Sequence, residues 1–175
     1  MRPGIMLRST ALLGFPGETE ADVVELLDFL DDVGFDHLGT FTYSHEERTA
    51  AFGLEDDVDP AEKEDRRARV ESVQWDVGLE RKQAWLGREV DIVIDEVFDD
   101  PDDALLDSVA IESGDDQRTA WTGPVAFGRT EGFCYDIDGG VWLSGDEFRE
   151  GQFSRVNLVA CGPYDFLARP AEASA

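Results

Sequence analysis

At 175 residues the chain has room for one ordinary domain or two small ones, and burial of roughly two-thirds of the unfolded surface is feasible at this size. Forty Asp and Glu against fifteen Lys and Arg give a formal net charge of -25, which disfavours direct DNA or RNA binding, because such binders gain affinity by neutralising phosphates and releasing counterions. No stretch approaches the roughly 18 continuous apolar residues of a membrane helix, and the first ten residues lack a basic start followed by an apolar run, so a cytoplasmic protein with no membrane partner is expected.

The same charge suits a basic protein partner. It also reads as a solvated acidic coat adapted to a high-salt cytoplasm, with Lys63 and Lys82 as the only lysines. Cys134 and Cys161 lie too far apart for a CxxC metal knuckle and are too few for a disulfide framework, so both are expected to be packing residues.

Leu7 to Leu13 is an apolar strand broken by the turn Gly14-Phe15-Pro16-Gly17. A helix follows from Thr19: Val23, Leu26, Leu27, Leu30 and Val33 repeat at three-and-four spacing, Glu20 and Asp22 lie in the first turn, and Gly34 stands where a left-handed cap belongs. Phe35 to Tyr43 is another short strand. Strand, turn, helix and strand make a βα repeat of a parallel α/β sheet or barrel.

Asp59-Pro60-Ala61-Glu62 opens a second helix, with Asp59 as cap, Pro60 at the first helical position and Glu62 able to return the capping bond. It should run to about Leu86. Its early turns, Lys63 to Arg69, are charged all round, while Val70, Val73, Val77, Ala84 and Leu86 form one apolar stripe, so it should lie across a surface as a connector.

From Gly87 the pattern alternates, with Val90, Ile92 and Ile94 on one face of a strand that ends in the acidic turn 99–103. Further strands are expected at 108–113, 118–127, 140–143, 153–160 and 164–169, the signature of a small antiparallel barrel. Residues 171–175 read as a loose tail.

Three strings carry a family resemblance, in the right order. Leu7 through Thr19 resembles the late-barrel strand and GFPGET turn of radical S-adenosylmethionine methylthiotransferases; Phe35 through Ala50 is similar to that family's strand ending in a Tyr-Ser-x-Glu-Glu segment. Gly87-Arg88-Glu89-Val90 through Glu96, followed by Gly128-Arg129-Thr130 and Asp136-Ile137-Asp138-Gly139, is similar to its terminal TRAM domain. The pair Glu46-Glu47 and the acidic second part favour the ribosomal-protein branch (RimO) over the transfer-RNA branch (MiaB). Arg48 replaces the family's usual Gly before Thr49, Tyr135 stands near a usual Ala-Pro, and the 97–127 segment is longer than the family's loop.

The resemblance implies an α/β plus β architecture: the last βα units of a partial TIM-type radical SAM barrel over 1–58, a connector helix over 59–86, and an OB-like antiparallel TRAM barrel over 87–170. It implies that Leu13, Gly14 and Phe15 line the cofactor wall, that Glu18 holds the turn, and that Arg8 pairs with a carboxylate, of the cofactor or of the protein. Gly14, Pro16 and Gly17 also read simply as residues that turn the chain. Tyr43, Ser44 and Glu46 would reach the substrate side. The complete enzyme's cofactors would be S-adenosylmethionine and iron-sulfur clusters, yet the CxxxCxxC loop that binds the radical cluster is absent, so no catalytic or metal-binding residue is expected in this chain. The implied partners are a basic small-subunit ribosomal protein, modified at an aspartate β-carbon, and a missing amino-terminal half. Alternatives are a stand-alone protein-binding TRAM module, or a piece of a MiaB-like enzyme that binds RNA.

Other residues carry less. His45 reads as a solvated loop residue more readily than a base, Asp136 to Gly139 as a tight turn more readily than a calcium loop, and the aromatics Trp121, Phe127, Phe133, Tyr135, Trp142, Phe148, Phe153 and Phe166 mostly as core.

Overall fold

The computed structural model describes residues 5–102, 105–107 and 123–171. The chain forms two compact units, the first ending at Gly78 and the second beginning at Leu79.

In the first unit, strand β1 (Arg8–Leu13), helix α1 (Glu20–Val33) and strand β2 (His37–Thr42) form a parallel βαβ repeat, the two strands pairing in register from Arg8 opposite His37 to Leu13 opposite Thr42. Alternation along β1 turns Ala11 and Leu13 onto one face, where they pack with Leu30 of α1 and Val70, flanked by Leu26, Leu27, Leu38 and Val73. The other face holds the register partners Leu12 and Phe41, both exposed. Helix α1 starts at a reciprocal cap: the Asp22 amide donates to the Thr19 hydroxyl, and the Asp22 carboxylate accepts from the Thr19 amide. The Thr19 hydroxyl, which donates to the same carboxylate at 2.7 Å, and then the Thr19 amide hold the Asp22 carboxyl below its ordinary range. The helix ends at Gly34, whose φ of 66° is the left-handed conformation expected there.

Helix α2 (Pro60–Gln83) begins as expected, with the Asp59 carboxylate accepting from the Ala61 amide at 2.8 Å. The Glu62 carboxylate accepts a bond from Arg66. The helix stops at Gln83 rather than Leu86, and a turn carries the chain to Gly87. The start of the helix does lie across a surface, with Glu62, Glu64 and Asp65 exposed, but it is not solvated all round: Lys63 and Arg66 are 5% and 4% exposed.

The second unit is a closed barrel of β3 (Glu89–Phe98), β4 (Val125–Thr130), β5 (Val141–Ser144), β6 (Phe153–Cys161) and β7 (Phe166–Pro170), in the order β3-β4-β5-β7-β6. It is mixed rather than purely antiparallel, because β5 and β7 run parallel. The reason is arithmetic: strict alternation of direction cannot close around five strands, so one neighbouring pair must be parallel. Ile92, Ile94, Val141, Leu143, Val156, Leu158 and Phe166 are all fully buried, at the two-residue spacing that turns them to one face. A second cluster of Val125, Trp142 and Leu167 packs with Phe98, Leu106 and Phe127.

The expected strand at 108–113 and the start of the one at 118–127 lie outside the described residues. Of the aromatics read as core, Phe133, Trp142, Phe148 and Phe166 are buried, whereas Tyr135 and Phe153 are exposed; Trp121 is outside the described residues. Cys134 is exposed, which corrects its reading as a packing residue, and Cys161 is partly buried. Burial pushes the Cys161 thiol above its ordinary range. The tight turn there runs from Cys134 to Asp138, two residues earlier than the expected Asp136 to Gly139, with the Cys134 carbonyl accepting from the Ile137 and Asp138 amides.

Candidate functional site

Parallel, in-register strands bring their carboxyl ends to one edge, so the turn after β1 and the segment after β2 are neighbours. The Tyr43 amide donates to the Leu13 carbonyl at 2.8 Å, and the Phe15 and Tyr43 rings meet edge to face at 5.3 Å. Gly14 and Gly17 take φ of 73° and 83°, which a side chain would resist. Glu18 folds back over this turn, its Oε1 accepting from the Gly14 amide at 2.9 Å. Asp57 accepts from the Gly17 amide, also at 2.9 Å.

Two buried cations from α2 reach this edge. Arg66 Nη1 donates to Glu18 Oε1 at 2.8 Å and to the Glu18 carbonyl at 3.1 Å, while Nη2 pairs with Glu62. Burial opposes the guanidinium charge, but the hydrogen bonds to Glu18 and Glu62 outweigh it and hold the group more firmly protonated than a free arginine. Lys63 Nζ bonds both carboxylate oxygens of Asp56 at 2.6 and 2.8 Å and the Tyr43 carbonyl at 3.3 Å, and stands 5.0 Å from the Tyr43 ring centroid. Its methylene stem fills the space beside Gly14, where a β-carbon would overlap it.

The residues singled out in the sequence fall into four groups. Gly14, Phe15, Glu18 and Tyr43 come together at this edge. Leu13 ends β1 with its side chain wholly in the core, so only its main chain faces the turn. Ser44 and Glu46 are exposed and bond each other at 2.8 Å; His45 accepts or donates at the Tyr43 hydroxyl, 3.3 Å away, and stacks on Phe52 at 4.8 Å. Arg8 stands apart: it opens β1, five residues before Leu13, and at about 3.3 Å per residue lies roughly 16 Å from the far end of the strand.

Arg48, the residue in place of glycine, has a φ of 71°, so the loop keeps a left-handed conformation with a side chain present. Lys63, Arg66, Asp56 and Asp57 were not anticipated as site residues. A signal for the two cations exists: positions 63, 66, 70, 73 and 77 continue the three-and-four spacing of the apolar stripe toward the helix start.

Among the described residues no group of three or more His, Cys, Asp or Glu could hold a metal. An iron-sulfur cluster requires closely spaced thiolates, and the two cysteines of the chain both belong to the second unit, 27 residues apart in sequence. The residues present do not fit such a cluster.

No family model matches the chain. Among its curated relatives are proteins named ribosomal protein uS12 methylthiotransferase RimO. That of Desulforudis audaxviator is 36% identical over 168 residues, covering 95% of this chain and 32% of the relative. That of Chlorobium phaeobacteroides is 40% identical over 165 residues, 93% of this chain and 33% of the relative, and that of Chlorobium limicola is 34% identical over a similar share. Over nearly its whole length the chain is similar to part of the RimO methylthiotransferases. It spans about a third of the length of the RimO proteins it matches, within their carboxyl-terminal half. The Gly14–Glu18 turn and the closed barrel are therefore both part of the RimO-like segment, which takes in nearly the whole chain.

Proposed function

We propose that this chain is the carboxyl-terminal part of a RimO-type methylthiotransferase, acting on a small-subunit ribosomal protein in the cytoplasm. In this reading β1, α1 and β2 are the last βα units of a TIM-type radical SAM barrel, α2 is the connector, and the five-stranded barrel is an OB-like TRAM domain. The domain limits are 1–58, 59–86 and 87–170. The reading is carried by the parallel register of β1 and β2, which puts Gly14, Phe15 and Glu18 beside Tyr43 at the carboxyl edge where such barrels build their sites.

The main chain of Leu13 and Gly14, with the Phe15 ring, would border the adenosyl group of S-adenosylmethionine. Glu18 would keep the turn in shape. Ser44 and Glu46, exposed just past β2, would face the protein substrate, while Arg8, at the other end of β1, would meet a carboxylate there. The cluster that cleaves S-adenosylmethionine must be held by thiolates outside this chain, so the chain alone is inactive. Its net charge of -25 favours encounter with a basic protein, speeding association more than deepening affinity, and the TRAM barrel is the proposed docking element. Among the described residues no helix is long and apolar enough to cross a membrane.

Mixing the chain with the amino-terminal two-thirds of the Desulforudis audaxviator relative and assaying 5'-deoxyadenosine tests this. Release of 5'-deoxyadenosine that depends on both pieces is the expected result. Binding of a basic ribosomal protein without any cofactor cleavage would favour a stand-alone module, and tight, strongly salt-dependent RNA binding would favour the transfer-RNA branch.

A further inference from the structure

We infer that Arg66 and Lys63 are positioning residues, and that helix α2 through them sets the shape of the Gly14–Glu18 turn. This role rests on the reading that the turn borders the adenosyl cofactor, and it falls to a helix that contributes nothing to the proposed pocket wall itself.

The turn has little to hold it from within. Two glycines in the left-handed region have wide conformational freedom, and a short Gly-Phe-Pro-Gly segment left alone would sample several shapes. Its own hydrogen bonds are few: Glu18 N–H to the Phe15 carbonyl at 2.9 Å, and Gly14 N–H to the Glu18 carboxylate. That carboxylate is a free rotor unless something anchors it.

Arg66 is the anchor. One guanidinium nitrogen bonds both the Glu18 carboxylate and the Glu18 carbonyl, which fixes side chain and backbone together. The second nitrogen is tied to Glu62 one helical turn earlier, so the guanidinium is itself held from its own helix. With its side chain only 5% exposed, the arrangement sits where salt screens weakly.

Lys63 acts at the other side of the turn. Its stem occupies the room a β-carbon at Gly14 would need, while its ammonium reaches the Tyr43 carbonyl and Asp56. One side chain thus ties together the ends of both strands beyond their last paired residues, Leu13 and Thr42. Asp57, next to that Asp56, bonds the Gly17 amide and restrains the turn at its tip. Lys63 and Arg66 are three residues apart on one helix, so a single face of α2 delivers both.

The test uses the full chain with R66M, R66K, K63M and E18Q. Amide exchange at Gly14, Phe15, Gly17 and Glu18 is read by nuclear magnetic resonance, against the amides of α1 as an internal reference. R66M should speed exchange at Gly14 and Gly17 about tenfold or more while α1 stays within about twofold, since a buried charge-assisted bond is lost locally. R66K keeps the charge but loses the fork and should fall between wild type and R66M. E18Q keeps an acceptor for Gly14 and loses the ion pair, so it should resemble R66K. In the reconstituted assembly, R66M should raise the KM for S-adenosylmethionine about tenfold with kcat changed less than about twofold, as loss of pre-organised binding predicts.

Unchanged exchange at Gly14 and Gly17 in both R66M and K63M, or an equal rise across α1 and the turn, would overturn the inference. If R66M fails to fold, unchanged exchange at the same two glycines in R66K and E18Q would overturn it equally. A wild-type assembly with no cofactor turnover would sink the functional reading alone, because the exchange arm needs no cofactor.

Discussion

Replacing Asp165 by alanine should destabilise the barrel severely. The Asp165 side chain lies among buried groups, the residue being 2% exposed, and accepts two hydrogen bonds of 2.7 Å, one from the Gly140 amide and one from Trp142 Nε1. Both donors sit where β5 meets β7, the one parallel pairing in the barrel, and the Phe166 amide closes the same junction on the Gly140 carbonyl at 2.8 Å. Removing the carboxylate strands two buried donors at about 1–3 kcal/mol each, so the loss should be about 2–6 kcal/mol. That is a large share of the roughly 5–15 kcal/mol by which a domain is stable. D165N keeps one acceptor oxygen but turns an amide donor toward the other N–H, so it should lose about half as much.

Urea denaturation followed by tryptophan fluorescence measures both variants, with W142F completing a double-mutant cycle. W142F deletes one donor, so D165A should cost less in that background than in wild type. A loss below about 1 kcal/mol for D165A, or costs that add within about 0.5 kcal/mol, would refute the claim that this carboxylate locks the parallel pair.

G14A should destabilise the first unit by about 1–3 kcal/mol, because a β-carbon meets both a left-handed backbone and the Lys63 stem; G17A, with open space around it, should cost about 1 kcal/mol from backbone alone. Thermal melts of the two variants that coincide would count against that contrast. T19A removes the hydroxyl hydrogen bond that does most to lower the Asp22 carboxyl and leaves the one from the residue-19 amide; the stabilisation removed is present above the ordinary carboxylate value and lost as pH falls through the lowered one. The gap between wild type and T19A should therefore be larger at pH 7 than at low pH, where only the loss of the Asp22 amide's bond to the Thr19 hydroxyl remains, in a circular dichroism titration; a constant gap would contradict this. Both lysines being buried, every exposed cationic side chain is an arginine and the surface is overwhelmingly acidic, so raising KCl from about 0.05 M to about 2 M should lift Tm by about 5 °C or more. A flat or falling Tm would remove charge repulsion as a determinant of stability. Hydrogen exchange should also be faster over 5–57 than over the barrel, since a two-stranded sheet leaves an unpaired edge on each strand and a closed barrel leaves none. Equal protection in both regions would argue otherwise.

Local chemistry was plain in the residues themselves. The Gly34 stop of α1, the Asp59-Pro60 start of α2, the turn after Leu13 and the period-two strands at 89–98 and 153–161 each follow from side chains within a few positions of one another. Those interactions are short in range, so sequence spacing measures them directly. Charge alone misled at Lys63 and Arg66, because a charged residue on a helix is ordinarily solvated. Only the meeting of α2 with the β1 turn supplies Glu18, 48 residues before Arg66, as the partner that makes its burial tolerable.

The parallel pairing of β5 with β7 was equally out of reach, since strand direction depends on how many strands close the ring and not on any one strand's pattern. Asp165 and Trp142 likewise look unrelated along the chain, yet closure brings them within 2.7 Å. The sequence by itself determined where α1 and α2 begin and where α1 stops, because capping, turn chemistry and periodicity act between near neighbours. Tertiary structure alone decided which charges are buried and which strands run together, because both depend on partners brought close only by folding.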